Sequence, residues 1–182
     1  MKAVTLIWAA YDVDVHRSNP DDVEQEGAVR LTVVIADRPD RHVAVEVLGS
    51  IEFIDDRPTP TIVLHPNAIA RLASDAAKLR PGHPESSPGF RNLILGRALG
   101  RALAHEIGHF LLRSRQHSET GLMRAKQSVF RLIGRENDEF ALSADEVMRL
   151  TSVTSSAVNG RAEAVGRDSA QPHAGRQPCP AR

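Results

Sequence analysis

The 182-residue chain has one cysteine, Cys179, close to its end. A lone thiol closes no disulfide framework and builds no cysteine-based zinc site. The chain also lacks an excess of either charge, since Lys+Arg 23 balances Asp+Glu 23. Nothing in that balance argues for nucleic acid or a membrane surface as partner. No apolar run approaches the length of a membrane span. The N-terminus has too little of what a leader needs. Lys2 is the one positive charge before a short apolar run, and Trp8 and Tyr11 stand where small cleavage-site residues belong. An amphipathic first helix from about Lys2 to Tyr11 is the better reading. Cytoplasmic and exported locations both stay open, as does the oligomeric state.

What is present is ordinary for a globular domain: 41% hydrophobic and 25% charged residues. The length suits one domain with spare tail. Four stretches read as strands. Val13 to His16 alternates, Arg30 to Ile35 does so in part, and Val43 to Leu48 alternates clearly, with Ser50 to Ile54 continuing it; Thr61 to His65 is a β-rich run between Pro60 and Pro66. Asn19 to Asp22, Asp37 to Asp40 and Asp55 to Pro58 read as turns. Asn67 can cap a helix from Ala68 to about Leu79, with Ile69, Leu72, Ala73, Ala76 and Leu79 as its apolar stripe and Pro81-Gly82 as its stop. The loop Gly82 to Ser86 follows. Ser87 and Pro88 then open a long helix to about Arg113. Ser128 to Ile133 is apolar enough to pack, and Ser143-Ala144-Asp145-Glu146 is a capping box that starts a last helix. From Ser155 to Arg182 periodicity vanishes, which predicts a domain over 1–154 and a disordered tail over 155–182.

Within the long helix, His105-Glu106-Ile107-Gly108-His109 contains the His-Glu-x-x-His pattern of zinc-dependent hydrolases. On a helix, positions i and i+4 share one face about 5–6 Å apart, so both imidazoles can reach one ion. Glu106 flanks the ion and can take a proton from an activated water. Composition alone gives about 0.02 chance matches to the bare pattern. A third candidate ligand, His117, follows, and a catalytic zinc site wants three protein ligands with one position open. His16, His42 and His65 have no partner at ligand spacing and read as surface or edge histidines. Arg97 and Arg101, at steps of four before His105, read as a solvated face, with the approach to the metal as the alternative. Gly96, Gly100 and Gly108 cost about 1 kcal/mol each in helix propensity, which close approach of a neighbouring element would offset.

The run His105 to His109, then His117-Ser118 and Gly121-Leu122-Met123, resembles the metzincin zinc peptidases. Their signature is His-Glu-x-x-His-x-x-Gly-x-x-His, followed by a methionine-containing turn. More closely it resembles uncharacterised bacterial metzincin-like proteins with a delayed third histidine and a Leu-Met-Arg turn. The likeness is specific over about Gly96 to Ala125. This chain departs from the signature at two places. Leu112 stands where the glycine should be and Arg115 where the third histidine should be, and no glycine lies between His109 and His117 to supply a left-handed turn. The alternative source of a third ligand, a downstream glutamate, fails on spacing, because the window where it belongs holds Gln127, Ser128 and Val129 and not Glu136, Glu139 or Glu146.

The resemblance implies an α+β fold in which a small twisted mixed sheet packs on two main helices, the second carrying the zinc site. It implies His105, His109 and His117 as ligands of Zn2+, Glu106 as general base and then acid, and a peptide or protein substrate. The strand near Ile62 to His65 would border the cleft and pair with an extended peptide. Arg113, Arg115 or Arg124 could help stabilise the oxyanion. Met123 reads equally as the turn beneath the metal and as plain core packing. Other readings stay open: an inactive, regulatory zinc-binding domain, a zinc hydrolase of a non-peptide bond, and an interaction domain with a coincidental motif.

Overall fold

The computed structural model of the chain describes residues 1–19, 21–23, 27–36, 47–78 and 88–153. It is an α+β arrangement: α1 (Lys2–Ala9), β1 (Thr32–Ile35), β2 (Gly49–Ile54), β3 (Arg57–Leu64), α2 (Pro66–Lys78), α3 (Pro88–Leu112) and α4 (Val129–Ile133). A short 3-10 turn covers Asp138–Phe140, and a last helix, α5, occupies residues 144–153. The expected turn at Asp37 to Asp40, the start of the strand at Val43, His42, the loop Gly82 to Ser86, the Ser87 cap, the helix end at Leu79 and the tail from Ser155 with Cys179 lie outside the described residues.

The leader-like N-terminus is a core helix. Val4, Ile7 and Trp8 recur at steps of three and four, and all three are buried, with α1 packed on α3. The helix closes in a Schellman motif without glycine. Asp12 takes a φ of 57°, while Val13 N–H donates to the Trp8 carbonyl (3.3 Å) and Asp12 N–H to the Ala9 carbonyl (3.4 Å). The Tyr11 hydroxyl then accepts from Leu142 N–H at 2.5 Å, fastening the first helix to the far end of the domain. The strand expected over Val13 to His16 does not form. That segment leaves the helix cap with no strand beside it among the described residues, and packs Val13 and Val15 against the core instead.

The sheet has order β1-β3-β2, with β1 parallel and β2 antiparallel to β3. β2 and β3 form a hairpin whose two-residue turn, Asp55-Asp56, has φ of 47° and 58°, the positive pair of a type I′ turn. β3 starts at Arg57, earlier than its prolines suggest. The ladder slips between Ile51 and Phe53, and Pro58 and Pro60 occupy that irregular stretch, where a missing N–H costs least. Ile62 and Leu64 then alternate inward onto α3.

Two residues expected at the surface are buried. His65, at the end of β3, donates from Nδ1 to the Ala36 carbonyl (2.7 Å), and its own N–H donates to the Leu48 carbonyl (3.0 Å), so it ties the strand ends together. Arg101 is only 2% exposed and does not belong to a solvated face. Its guanidinium donates to the carbonyls of Arg131 (2.6 Å), Leu132 (2.9 Å), Gly134 (3.0 Å) and Glu136 (2.6 Å) and to Asn137 Oδ1 (2.9 Å), and lies 4.6 Å from the centre of the Phe140 ring. The irregular backbone after α4 leaves carbonyls without strand or helix partners, and one planar five-donor group satisfies them. Burial, with Arg97 beside it, pulls its pKa down, while Glu136 and Glu139 pull it up. Arg97 reaches the Ile133 carbonyl (3.4 Å) on the same segment.

Candidate metal centre

The motif lies in the last third of α3, where the helix is buried on nearly every side. Small residues line its back. A Cβ at Gly100 would stand 2.9 Å from the Ala3 side chain, and one at Gly108 would collide with the Met123 sulfur and touch Trp8. Close approach therefore accounts for Gly100 and Gly108, while Gly96 faces open space. With its back held by α1, the helix turns His105, Glu106 and His109 toward a cleft.

The missing glycine after His109 is replaced by strain at one residue. Arg113 takes a φ of 47°. Ser114 N–H donates to the His109 carbonyl (3.2 Å) and Arg113 N–H to the Phe110 carbonyl (3.3 Å), the bond pair of a Schellman motif. This cap has a second effect. It swings the Ser114 carbonyl onto His109 Nδ1, which donates to it at 2.6 Å. His105 Nδ1 donates likewise to the Leu122 carbonyl at 2.8 Å. Each Nδ1 thus carries the ring hydrogen, and each Nε2 presents a lone pair. The two Nε2 atoms face each other 3.1 Å apart. Two facing lone pairs repel unless a cation lies between or beside them. Ligands about 2.0–2.1 Å from a tetrahedral zinc stand about 3.3 Å from one another, close to this separation.

His117 completes the group. Its ring stacks on His105 (centroids 5.3 Å apart, planes at 17°) and stands edge-on to His109 (4.9 Å, 89°). One ring nitrogen from each of the three histidines falls within 4.8 Å of the others, so the cluster could hold a metal ion. Nitrogen donors alone suit zinc, copper, iron or nickel. The loop carrying His117 is pinned at several points. Ser118 N–H donates to the Met123 carbonyl (2.9 Å), Leu122 N–H to the Ala141 carbonyl (3.0 Å), and Gly121, with φ of 73°, leaves no room for a Cβ beside Ala141. Ser118 Oγ also donates to Glu146 Oε1, while Glu146 Oε2 accepts from Ser143 N–H (2.7 Å) in the capping box of α5. Leu122 and Met123 are buried beneath the helix.

Burial sets the electrostatics. It lowers the pKa of His105 to about 4, with the charges of His109 and His117 adding to the effect and the Leu122 carbonyl and Glu146 opposing it. It lowers that of His109 as well, against the pull of the Ser114 carbonyl. Both rings are therefore neutral near pH 7, the form a metal needs. Glu106 is 7% exposed, and burial alone raises its pKa to about 7. Gly49 makes that position possible, since a Cβ there would meet Glu106 Cγ at 3.1 Å and Oε1 at 3.2 Å.

The cleft has a volume of about 810 Å³ and opens between β2 on one side and the loop from Arg115 to Gln127 on the other. Its strand is β2, through Gly49, Ser50, Ile51 and Phe53, and not the expected Ile62 to His65, which lies in the middle of the sheet. Of the arginines considered for an oxyanion, Arg115 and Arg124 line the cleft and Arg113 does not.

Comparison of the chain with family models, curated proteins and solved structures found no match.

The sequence reading missed Gly49, the hub at Arg101 and the Ser118–Glu146 link. For Glu146 a signal existed, because the capping box marked it as a fixed carboxylate. The other two depend on contacts across thirty or more residues of chain.

Proposed function

We propose that this protein is a zinc-dependent metallopeptidase of metzincin type. One observation carries the reading: the Nδ1 hydrogens of His105 and His109 are committed to the Leu122 and Ser114 carbonyls, which leaves the Nε2 lone pairs converging beside His117 and the buried Glu106. Three imidazoles and one adjacent carboxylate fit a catalytic ion with an open position. His105, His109 and His117 would hold the ion. When bound, zinc supplies a Lewis acid that polarises a carbonyl and makes water a nucleophile near neutral pH.

The chain's own groups do the rest. Glu106 accepts a proton from water and returns it to the leaving amine. Burial raises the pKa of Glu106 in the metal-free protein and a bound cation would pull it back down, so the carboxylate can be ionised to accept the proton while burial favours holding it for return. The Leu122 and Ser114 carbonyls fix the tautomer and aim of two rings. Among the described residues β2 pairs only with β3, and its other edge, where the Phe53 carbonyl accepts from Arg115, borders the cleft in which an extended peptide would lie. An open cleft with a strand edge favours a peptide over a small non-peptide substrate.

Elemental analysis and a peptide-library digest test the reading together. Wild type is expected to hold one zinc per chain and to cleave; His117→Ala should lose most of the zinc, and Glu106→Gln should keep zinc without cleaving. Absence of zinc after reconstitution at neutral pH refutes the peptidase reading. Stoichiometric zinc without cleavage points to a regulatory zinc-binding domain.

A further inference from the structure

The sequence as a whole is neutral, with 23 basic and 23 acidic residues, but the cleft is not. Arg101, Arg115, Arg124 and Lys126 line it, and among the described residues Glu106 is the one carboxylate in the lining. Arg101 is used up by the carbonyls it holds. The other three side chains are exposed. Arg115 is held upright over Phe53, 4.9 Å from the ring centre, and its Nη2 donates to the Phe53 carbonyl at 3.3 Å. Its contact with Asp56 at 3.5 Å is solvent-exposed and neutralises it little. Arg124 and Lys126 have no carboxylate within ion-pair distance among the described residues. Both follow the Met123 turn directly, so they stand on the wall that faces β2.

We infer that the cleft selects an acidic peptide, with Arg115, Arg124 and Lys126 as its specificity-determining residues. The peptide part rests on the peptidase reading; the charge preference rests on the lining alone. A strand laid along β2 sends alternate side chains to one face, so carboxylates at every second residue can reach the basic wall together. A cleft of one sign also focuses its field and gathers oppositely charged ligands. Single-stranded nucleic acid is the other anionic polymer, but it needs free aromatic faces for its bases. The two phenylalanines lining the cleft are covered, Phe53 by Arg115 and Phe140 by Arg101.

The test is fluorescence anisotropy on zinc-loaded Glu106→Gln protein with three labelled probes: a ten-residue peptide with Glu at alternate positions, its Gln counterpart, and single-stranded oligo-dT of equal charge. Exposed charge contacts give about a factor of two each, so three predict about tenfold tighter binding of the Glu peptide. That preference should fade as salt rises from about 0.01 M to about 1 M and the screening length shrinks from about 30 Å to about 3 Å. The variant Arg115→Ala/Arg124→Ala/Lys126→Ala should bind both peptides equally while keeping its circular dichroism and zinc content. Equal affinity of the two peptides for Glu106→Gln, an undiminished preference in the triple variant, or tighter binding of oligo-dT would each overturn the inference. Wild type that cleaves nothing in the peptide-library digest, with the preference intact, removes the peptidase reading and leaves the acidic-ligand inference standing.

Discussion

Replacing Glu106 by glutamine removes one ionisable proton and changes almost no volume, so its effect on stability isolates the burial of that carboxyl. In the metal-free protein the group titrates at about 7, against an ordinary 4.5 in the unfolded chain. The shift of about 2.5 units corresponds to about 3 kcal/mol. Its sign follows from which state holds the proton. Between pH 4.5 and 7 the folded chain keeps a proton that the unfolded chain has released, so wild type loses stability as pH rises through that window. Below about 4.5 both states are protonated and the penalty is absent. Glu106→Gln has no such proton. Its stability relative to wild type is therefore expected to be near zero at pH 4.5 and about 3 kcal/mol in its favour above pH 7. The neutral histidines oppose this trend in both chains, because acid charges them in the unfolded state first, and the difference cancels them. Urea unfolding of both chains in excess chelator across this range measures it. A gap that stays flat with pH, or that closes as pH rises, would refute the argument. Zinc should shrink the gap, since a neighbouring cation favours the ionised carboxylate.

Other substitutions probe the frame. Arg101→Met should cost about 3–5 kcal/mol in urea unfolding, because it strands the partly buried carbonyls that Arg101 holds; Arg101→Lys, with three donors for five acceptors, should recover less than half. Gly96→Ala and Gly108→Ala are the same change on one helix with opposite expected signs. The first meets open space and should raise stability by about 1 kcal/mol, while the second meets Met123 and should lower it by about 1–3 kcal/mol. Ser118→Ala cuts the link from the His117 loop to Glu146 and should weaken zinc affinity about tenfold with the fold retained, as read by competition with a chromophoric chelator.

The helices were legible because their signals are local. The stripe of α1, the cap of α5 and the His-Glu-x-x-His face each lie within a few turns of chain, and the structure forms them within one or two residues of the expected bounds. His117 was legible as a residue type, but its route was not. The sequence offers no glycine for the turn, and the structure uses Arg113 in a left-handed conformation, a choice stabilised by bonds to His109 and Phe110. Arg101 looked solvated because helix periodicity sees only one helix, whereas its five acceptors lie 30 to 36 residues away. The strand bordering the cleft was misassigned for the same reason. Whether a strand is central or at an edge depends on pairings between distant segments, and nothing in Thr61 to His65 records that β1 takes its other side.

The ligand group is assembled from parts of unequal rigidity. Two histidines stand on a helix clamped from behind by backbone-close contact at Gly100 and Gly108; the third is exposed, on a loop held by a handful of hydrogen bonds. In native-state hydrogen exchange, amides from Ala102 to His109 should open only with global unfolding, and those from Ser114 to Thr120 well before it. If the three histidines hold an ion, its release would begin with the departure of His117, while His105 and His109 keep their places on an intact helix. The off-rate would then be a property of the loop, and mutations that stiffen it would slow exchange of the ion without touching the two helix histidines.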